Sequence, residues 1–144
     1  MSIFNGSAAM QDKLNDVGKL VLRLALGVMI LLHGVAKLTH GVGPIEGMLA
    51  GIGLPGYVAY GVFAGEVLGP LLLIAGFYAR IGAALIAINM LFALVLAHSD
   101  ELAQLSEQGG WALELQGMFL GTALAIMLLG AGRYSLGGSN GRWN

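Results

Sequence analysis

One acid interrupts the apolar run G-V-F-A-G-E-V-L-G-P-L-L-L-I-A-G at residues 61–76: Glu66. Counted from Tyr57, it lies about nine residues into a stretch long enough to cross a bilayer, or ~14 Å deep at 1.5 Å per residue. An ionised carboxylate at that depth is costly, so Glu66 is expected to be neutral, paired or facing a polar cavity. A second polar pair, His33 and Lys37, is spaced four residues apart and so shares one helix face. A lysine beside an acid can hold the negative charge of a reduced ligand, and a histidine can relay its proton. These three residues are the candidate proton and charge relay. Arg23, Tyr60, Phe63, Asn89, His98 and Glu114 are the candidate ligand contacts around them.

Each residue also has a purely structural reading. Glu66 could pair with Arg23 or Lys37 and set helix register, while Arg23 could snorkel to the near interface. His98 suits a helix cap, Glu114 the first turn of a helix dipole, and Asn89 an interhelical hydrogen bond. Arg80 and Arg133 fit topology anchors, and Trp111, Tyr57 and Tyr78 fit interface aromatics. His33 and His98 could in principle ligate a haem between two helices, but nothing in the sequence orients them toward each other, and haem is not expected. No metal site is expected. G-x-S-x-G, Walker, H-E-x-x-H and Rossmann patterns are absent.

The elements that must position these residues are membrane helices. The chain has 144 residues, 57% hydrophobic and 10% charged, with mean hydropathy +0.81. Average soluble domains are about 25% charged, so this composition reads as an integral membrane protein with the lipid bilayer as its first partner. A net charge of −1 offers no basic footprint for nucleic acid. With no cysteine, any redox role requires a bound cofactor or a redox protein partner. The 24 glycines fall largely inside apolar runs, as close helix packing in lipid requires. Gly61, Gly65 and Gly69 form such a stripe beside Glu66, and Pro70 one turn later is expected to bend the helix.

The expected fold is all-α, a four-transmembrane-helix bundle with a short re-entrant or interfacial segment between helices 1 and 2. Residues 1–16 read as a polar cytoplasmic tail without a cleaved signal peptide. Residues 17–134 form the membrane domain, and 135–144, rich in Gly and Ser, a flexible cytoplasmic tail. The spans are placed at about 17–38, 57–78, 81–97 and 111–132. Ile45, Met48, Leu49 and Ile52 recur at helical spacing within the Gly- and Pro-rich 39–56 segment, which is too short to span. Four spans put Lys13, Lys19, Arg80, Arg133 and Arg142 on one side. Lys37, Glu46, Asp100, Glu101 and Glu107 lie on the other. The positive-inside rule then places both termini in the cytoplasm. This threading gathers His33, Lys37, His98 and Glu114 near the outer boundary, with Glu66 a turn or two deeper.

The run R-L-A-L-G-V-M-I-L-L-H-G-V-A-K-L at 23–38 resembles the first helix of the DoxX family of small membrane proteins. G-M-L-A-G-I-G-L-P at 47–55, A-G-E-V-L-G-P-L-L-L-I-A-G-F-Y-A-R at 64–80 and G-A-G-R-Y-S-L at 130–136 continue the likeness in order. Many members place Asp after that closing Ser-Leu, where this chain has Gly137. The resemblance implies a four-helix inner-membrane protein. Related DoxD-type chains are subunits of a thiosulfate:quinone oxidoreductase, and other DoxX-like proteins associate with oxidative-stress enzymes. It therefore implies a quinone-interacting subunit or partner of a redox system, a reading that also draws on Tyr60 and Phe63, aromatics on the same span as Glu66. The alternatives are a non-catalytic membrane anchor or assembly factor, and a small transporter that would need to act as a homo-oligomer.

Overall fold

The computed structural model describes residues 3–107, 109–139 and 141–144, with side chains from Ser7 onward. Its architecture is helical, with an isolated bridge between Leu105 and Trp111. Helix α1 runs Ile3–His40 without interruption. The polar residues before 17 thus continue the helix of the first span, and no Pro falls among them to stop it. At 1.5 Å per residue the 38 residues of α1 extend about 57 Å, well beyond a ~30 Å hydrocarbon core. Helix α2, Gly43–Gly51, starts with Pro44 in its first turn, where a missing N–H costs nothing. It turns its buried Leu49 onto Val42 and Ala59 in a small apolar cluster that also holds Phe63 and Leu96.

The second apolar stretch changes its winding three times. A 3₁₀ turn at Gly56–Gly61 leads into a π-helical turn at Ala64–Leu68, then helix α3 at Gly69–Ala75. Pro70 explains the middle piece. It lacks the N–H that would bond to the Glu66 carbonyl, and its ring crowds that oxygen, so the helix widens by one residue just before it. Gly76, at φ 66°, ends α3 in the left-handed region. Helix α4, Ala79–Phe92, follows and ends in a second π-turn at Ala93–Ala97. Helix α5, Glu114–Leu129, is shorter than expected at both ends. Trp111 is tied into the preceding loop, its indole N–H donating to the Leu102 carbonyl at 2.9 Å, and Gly130, at φ 74°, breaks the helix.

By length and composition, Ser7–His40, Gly56–Ala75 and Ala79–Ala97 can cross a membrane. Helix α5, with 16 residues, spans only about 24 Å. The helices pack in sequence, and α5 returns to α1 to close the bundle. Leu26, Ile30, Leu73, Ile86, Met90, Phe119 and Ile126 fill the centre. The outward faces are also apolar: Leu32, Ile88, Phe92 and Leu128 are each more than half exposed. That pattern suits lipid rather than water, and the chain is a membrane protein.

In lipid, helix association rests on close packing, and glycine sets the distances here. A β-carbon at Gly82 would stand 2.7 Å from the Gly69 carbonyl oxygen, so α3 and α4 touch backbone to backbone. Of the predicted stripe, Gly65 and Gly69 face α4, while Gly61 faces open space. At the end of the bundle where α3 and α5 finish, two arginines donate to main-chain oxygens at and just beyond the helix ends. Arg23, 1% exposed, donates to Leu73, Ala131 and Tyr134 oxygens at 3.0, 2.7 and 3.2 Å. Arg80 donates to Met127 O at 2.9 Å and to Asn144 O at 3.1 Å. Asp16 accepts from the Arg133 backbone N–H at 3.2 Å.

Composition alone reads residues 135–144 as a flexible tail, yet they cap two helices. Leu136 and Gly137 donate N–H to Ala75 O and Gly76 O at 3.1 and 2.9 Å. The Asn144 side chain accepts from the Ala79 N–H at the start of α4, at 3.3 Å.

Candidate functional site: a buried carboxylate between three helices

At the opposite end of the bundle, the π-turn presents Glu66 inward, 6% exposed. Lys37 Nζ, from α1, donates to Glu66 Oε2 at 2.6 Å. Asn89 Nδ2, from α4, donates to Glu66 Oε1 at 3.2 Å. Both carboxylate oxygens therefore have a partner, one charged and one neutral. That arrangement holds the carboxylate where an isolated charge would be costly.

Two glycines make the approach possible. A β-carbon at Gly34 would run into the backbone carbonyl of Glu66 itself, and one at Gly65 would run into the Asn89 side chain. Gly34 thus lets α1 lie against the π-turn, and Gly65 lets α4 do so. The triad exists because both helices touch the turn that carries the acid. The Lys37 side chain stays 27% accessible, so the pair reaches the edge of the bundle. An ammonium has three donors, of which Glu66 occupies one.

His33, one turn before Lys37, turns to the other flank of α1. Its ring meets Phe119 of α5 edge-on, with centroids 6.1 Å apart. Together with Met29, Leu32, Ala36 and Leu115 they line an open apolar groove of about 430 Å³ between α1 and α5. Tyr60 is exposed, and its ring lies 6.2 Å from that of Phe63, which packs in the small cluster beneath α2. His98 sits in the loop after α4, its Nδ1 3.3 Å from Glu101 Oε2 and its Nε2 3.5 Å from Gln116 Nε2. His33 and His98 thus have separate neighbours. The exposed Glu114 side chain folds over Gly110. Arg23 belongs to the other end of α1, about 21 Å along the helix from Lys37, held by three carbonyls.

Of the residues singled out by type and spacing, the structure joins Lys37, Glu66 and Asn89, with His33 one turn away on α1. Sequence reasoning passed over Gly34, whose signal lay in its seven-residue spacing from Gly27 on the face of α1 that meets the second apolar stretch. Among the described residues no group of three or more His, Asp or Glu side chains converges as metal ligands would.

Comparison with known proteins identifies the family. The DoxX family model matches residues 18–99, from within α1 to the loop after α4. Over 84 residues the chain is 32% identical to a protein of Bacillus subtilis (strain 168) named "Putative oxidoreductase CatD". That alignment covers 58% of this chain and 62% of the relative, so the chain spans under two thirds of that protein's length. No solved structure matches the chain. The family match takes in more than half of the sequence and all three residues of the carboxylate site, and this chain belongs to the DoxX family.

Proposed function

We propose that this chain is a membrane subunit or partner of a redox system, and that Lys37, Glu66 and Asn89 form its quinone headgroup site. The observation that carries the reading is the 2.6 Å Lys37–Glu66 pair, its acid buried on a π-turn within a segment long and apolar enough to cross a membrane. Ionisable groups inside membranes are by default functional, and π-turns recur at functional sites. The family and a relative named as an oxidoreductase point the same way.

The residues fit such a ligand. Lys37 has donors left for a carbonyl oxygen, Glu66 can hold or release a proton, and Asn89 keeps the carboxylate oriented toward α1. A quinone, when bound, supplies two-electron and two-proton carrier chemistry, with the electrons coming from a redox partner protein. The same reading places α5 as a fourth span, its apolar length extended by the buried Leu113 and Ala131. It places the chain in an inner membrane with both termini, and the arginines beside them, in the cytoplasm.

One observation favours a second reading, a membrane anchor or assembly factor. Both Glu66 oxygens are already satisfied, as a purely structural lock would have them. Mass spectrometry of the organic extract of detergent-purified protein separates the two. Stoichiometric quinone, lost in Glu66→Gln while the thermal transition persists, supports the redox reading. Phospholipid alone in the extract supports the anchor.

A further inference from the structure

A second concave site lies at the other end of the bundle, where α4 begins and α5 finishes. It holds about 380 Å³ and is lined by Arg80, Ile81, Ala84, Leu85, Met127, Arg142 and Trp143. We infer that this pocket binds the phosphate headgroup of an anionic phospholipid, with Arg80 and Arg142 as the cationic contacts and α4 as the bed for an acyl chain.

Three features carry the inference. First, two guanidinium-bearing residues line the pocket and, among the described residues, no Asp or Glu side chain does. Arg80 is held in place by the Met127 carbonyl and the main-chain oxygen of Asn144 through two of its five N–H groups, which leaves donors over. Arg142 is steadied by its neighbour, with its Cζ 5.1 Å from the Trp143 ring centroid. Second, the remaining wall is apolar and directed into the membrane. Ile81, Ala84 and Leu85 share one face of α4, and Ile88 and Phe92, 52% and 60% exposed, extend that face toward mid-membrane. A free anion needs no such wall, whereas a lipid does. Third, the pocket stands where a headgroup stands, at the end of the segment Ala79–Ala97 that can cross a membrane. Basic pockets between helices with an interfacial Trp suit anionic lipid headgroups.

The pocket also explains the ordering of residues 141–144. Their docking through Arg80 and Ala79 brings Arg142 and Trp143 to the membrane boundary, so lipid binding and tail docking support each other.

The test uses full-length protein in a neutral detergent, with unfolding temperature measured on addition of phosphatidylglycerol, phosphatidylcholine or inorganic phosphate. Phosphatidylglycerol is expected to raise the transition above the other two. One basic residue near a membrane surface changes affinity by about fivefold, so Arg142→Gln should weaken the phosphatidylglycerol response by about that factor. Arg133→Gln, an exposed arginine at the same end but outside the pocket, should leave it unchanged. Because Arg80 also holds two main-chain oxygens, Arg142→Gln rather than an Arg80 variant is the primary probe. An equal response to phosphatidylcholine would overturn the assignment, as would an equal loss in Arg133→Gln. A response to inorganic phosphate matching that to phosphatidylglycerol would replace the lipid with a free anion.

Discussion

Lys37 and Glu66 meet at 2.6 Å although 29 positions separate them, and the contact depends on Gly34 lying against the Glu66 carbonyl. A glycine and a proline, neither of them polar, set the position of the charged pair. The pair is therefore as sensitive to the backbone around it as to its own side chains.

Removing one partner should cost more than removing both. Lys37→Met leaves the buried carboxylate with Asn89 alone and is expected to destabilise by about 3–5 kcal/mol. Glu66→Gln keeps a hydrogen-bonding group and should cost less, about 1–3 kcal/mol. The double variant Lys37→Met, Glu66→Leu should recover most of the loss. Thermal unfolding in detergent checks all three, and a double variant less stable than Lys37→Met alone would refute the pairing argument.

Gly34→Ala forces α1 away from the π-turn, because the obstacle is a backbone carbonyl that cannot swing aside. A loss of about 1–3 kcal/mol is expected from that overpacking. Gly18, where an added β-carbon would meet nothing within 4 Å, is the control: Gly18→Ala should be neutral or stabilising by about 0.5–1 kcal/mol. Equal behaviour of the two variants would count against close approach at Gly34.

Pro70→Ala restores the N–H that the Glu66 carbonyl lacks and should return Ala64–Leu68 to α-helical winding. The acid then turns away from Lys37. The expected readout is a double-mutant cycle in which coupling between Lys37 and Glu66 is present in the parent and lost in Pro70→Ala. Coupling that survives the substitution would show that the π-turn does not aim the acid.

Arg23→Met strands the carbonyls of Ala131 and Tyr134, leaves Leu73 O with the Gly76 N–H alone, and should destabilise by about 3 kcal/mol or more. Arg23→Lys should recover only part of this, since an ammonium cannot reproduce the guanidinium fork. Neither change should alter quinone retention in extracts normalised to folded protein. A selective loss of quinone would move Arg23 into the ligand site.

Gly137 stands where a β-carbon would meet the Asn144 side chain at 2.6–3.0 Å. Gly137→Asp should therefore displace Asn144 from the Ala79 N–H and free residues 141–144. Limited proteolysis is expected to release a fragment from this end faster than in the parent. Unchanged protection would mean the tail docks by its backbone alone.

Much of this protein was legible from residue types. The apolar runs and their lengths identified a membrane protein because lipid demands long uncharged helices. Glu66 and Lys37 stood out because charge at depth needs a partner. The segregation of arginines also follows from sequence, and the structure brings Arg23, Arg80 and Arg133 to one end of the bundle. Helix ends were less legible. Glycines at positive φ trim α5, and Trp111 is diverted into a loop by a hydrogen bond to Leu102. Continuous helical winding absorbs the polar residues ahead of position 17 into α1.

Pairing was decided by the tertiary structure. Arg23 and Lys37 were both available cations for Glu66, and spacing along α1 does not choose between them. The choice comes from depth and backbone approach. Helices that stop at Gly76 and Gly130 leave carbonyls that claim Arg23, and Gly34 brings the π-turn within reach of Lys37. Charge complementarity can be read along a chain, but the distance across which it acts depends on which helix faces can touch.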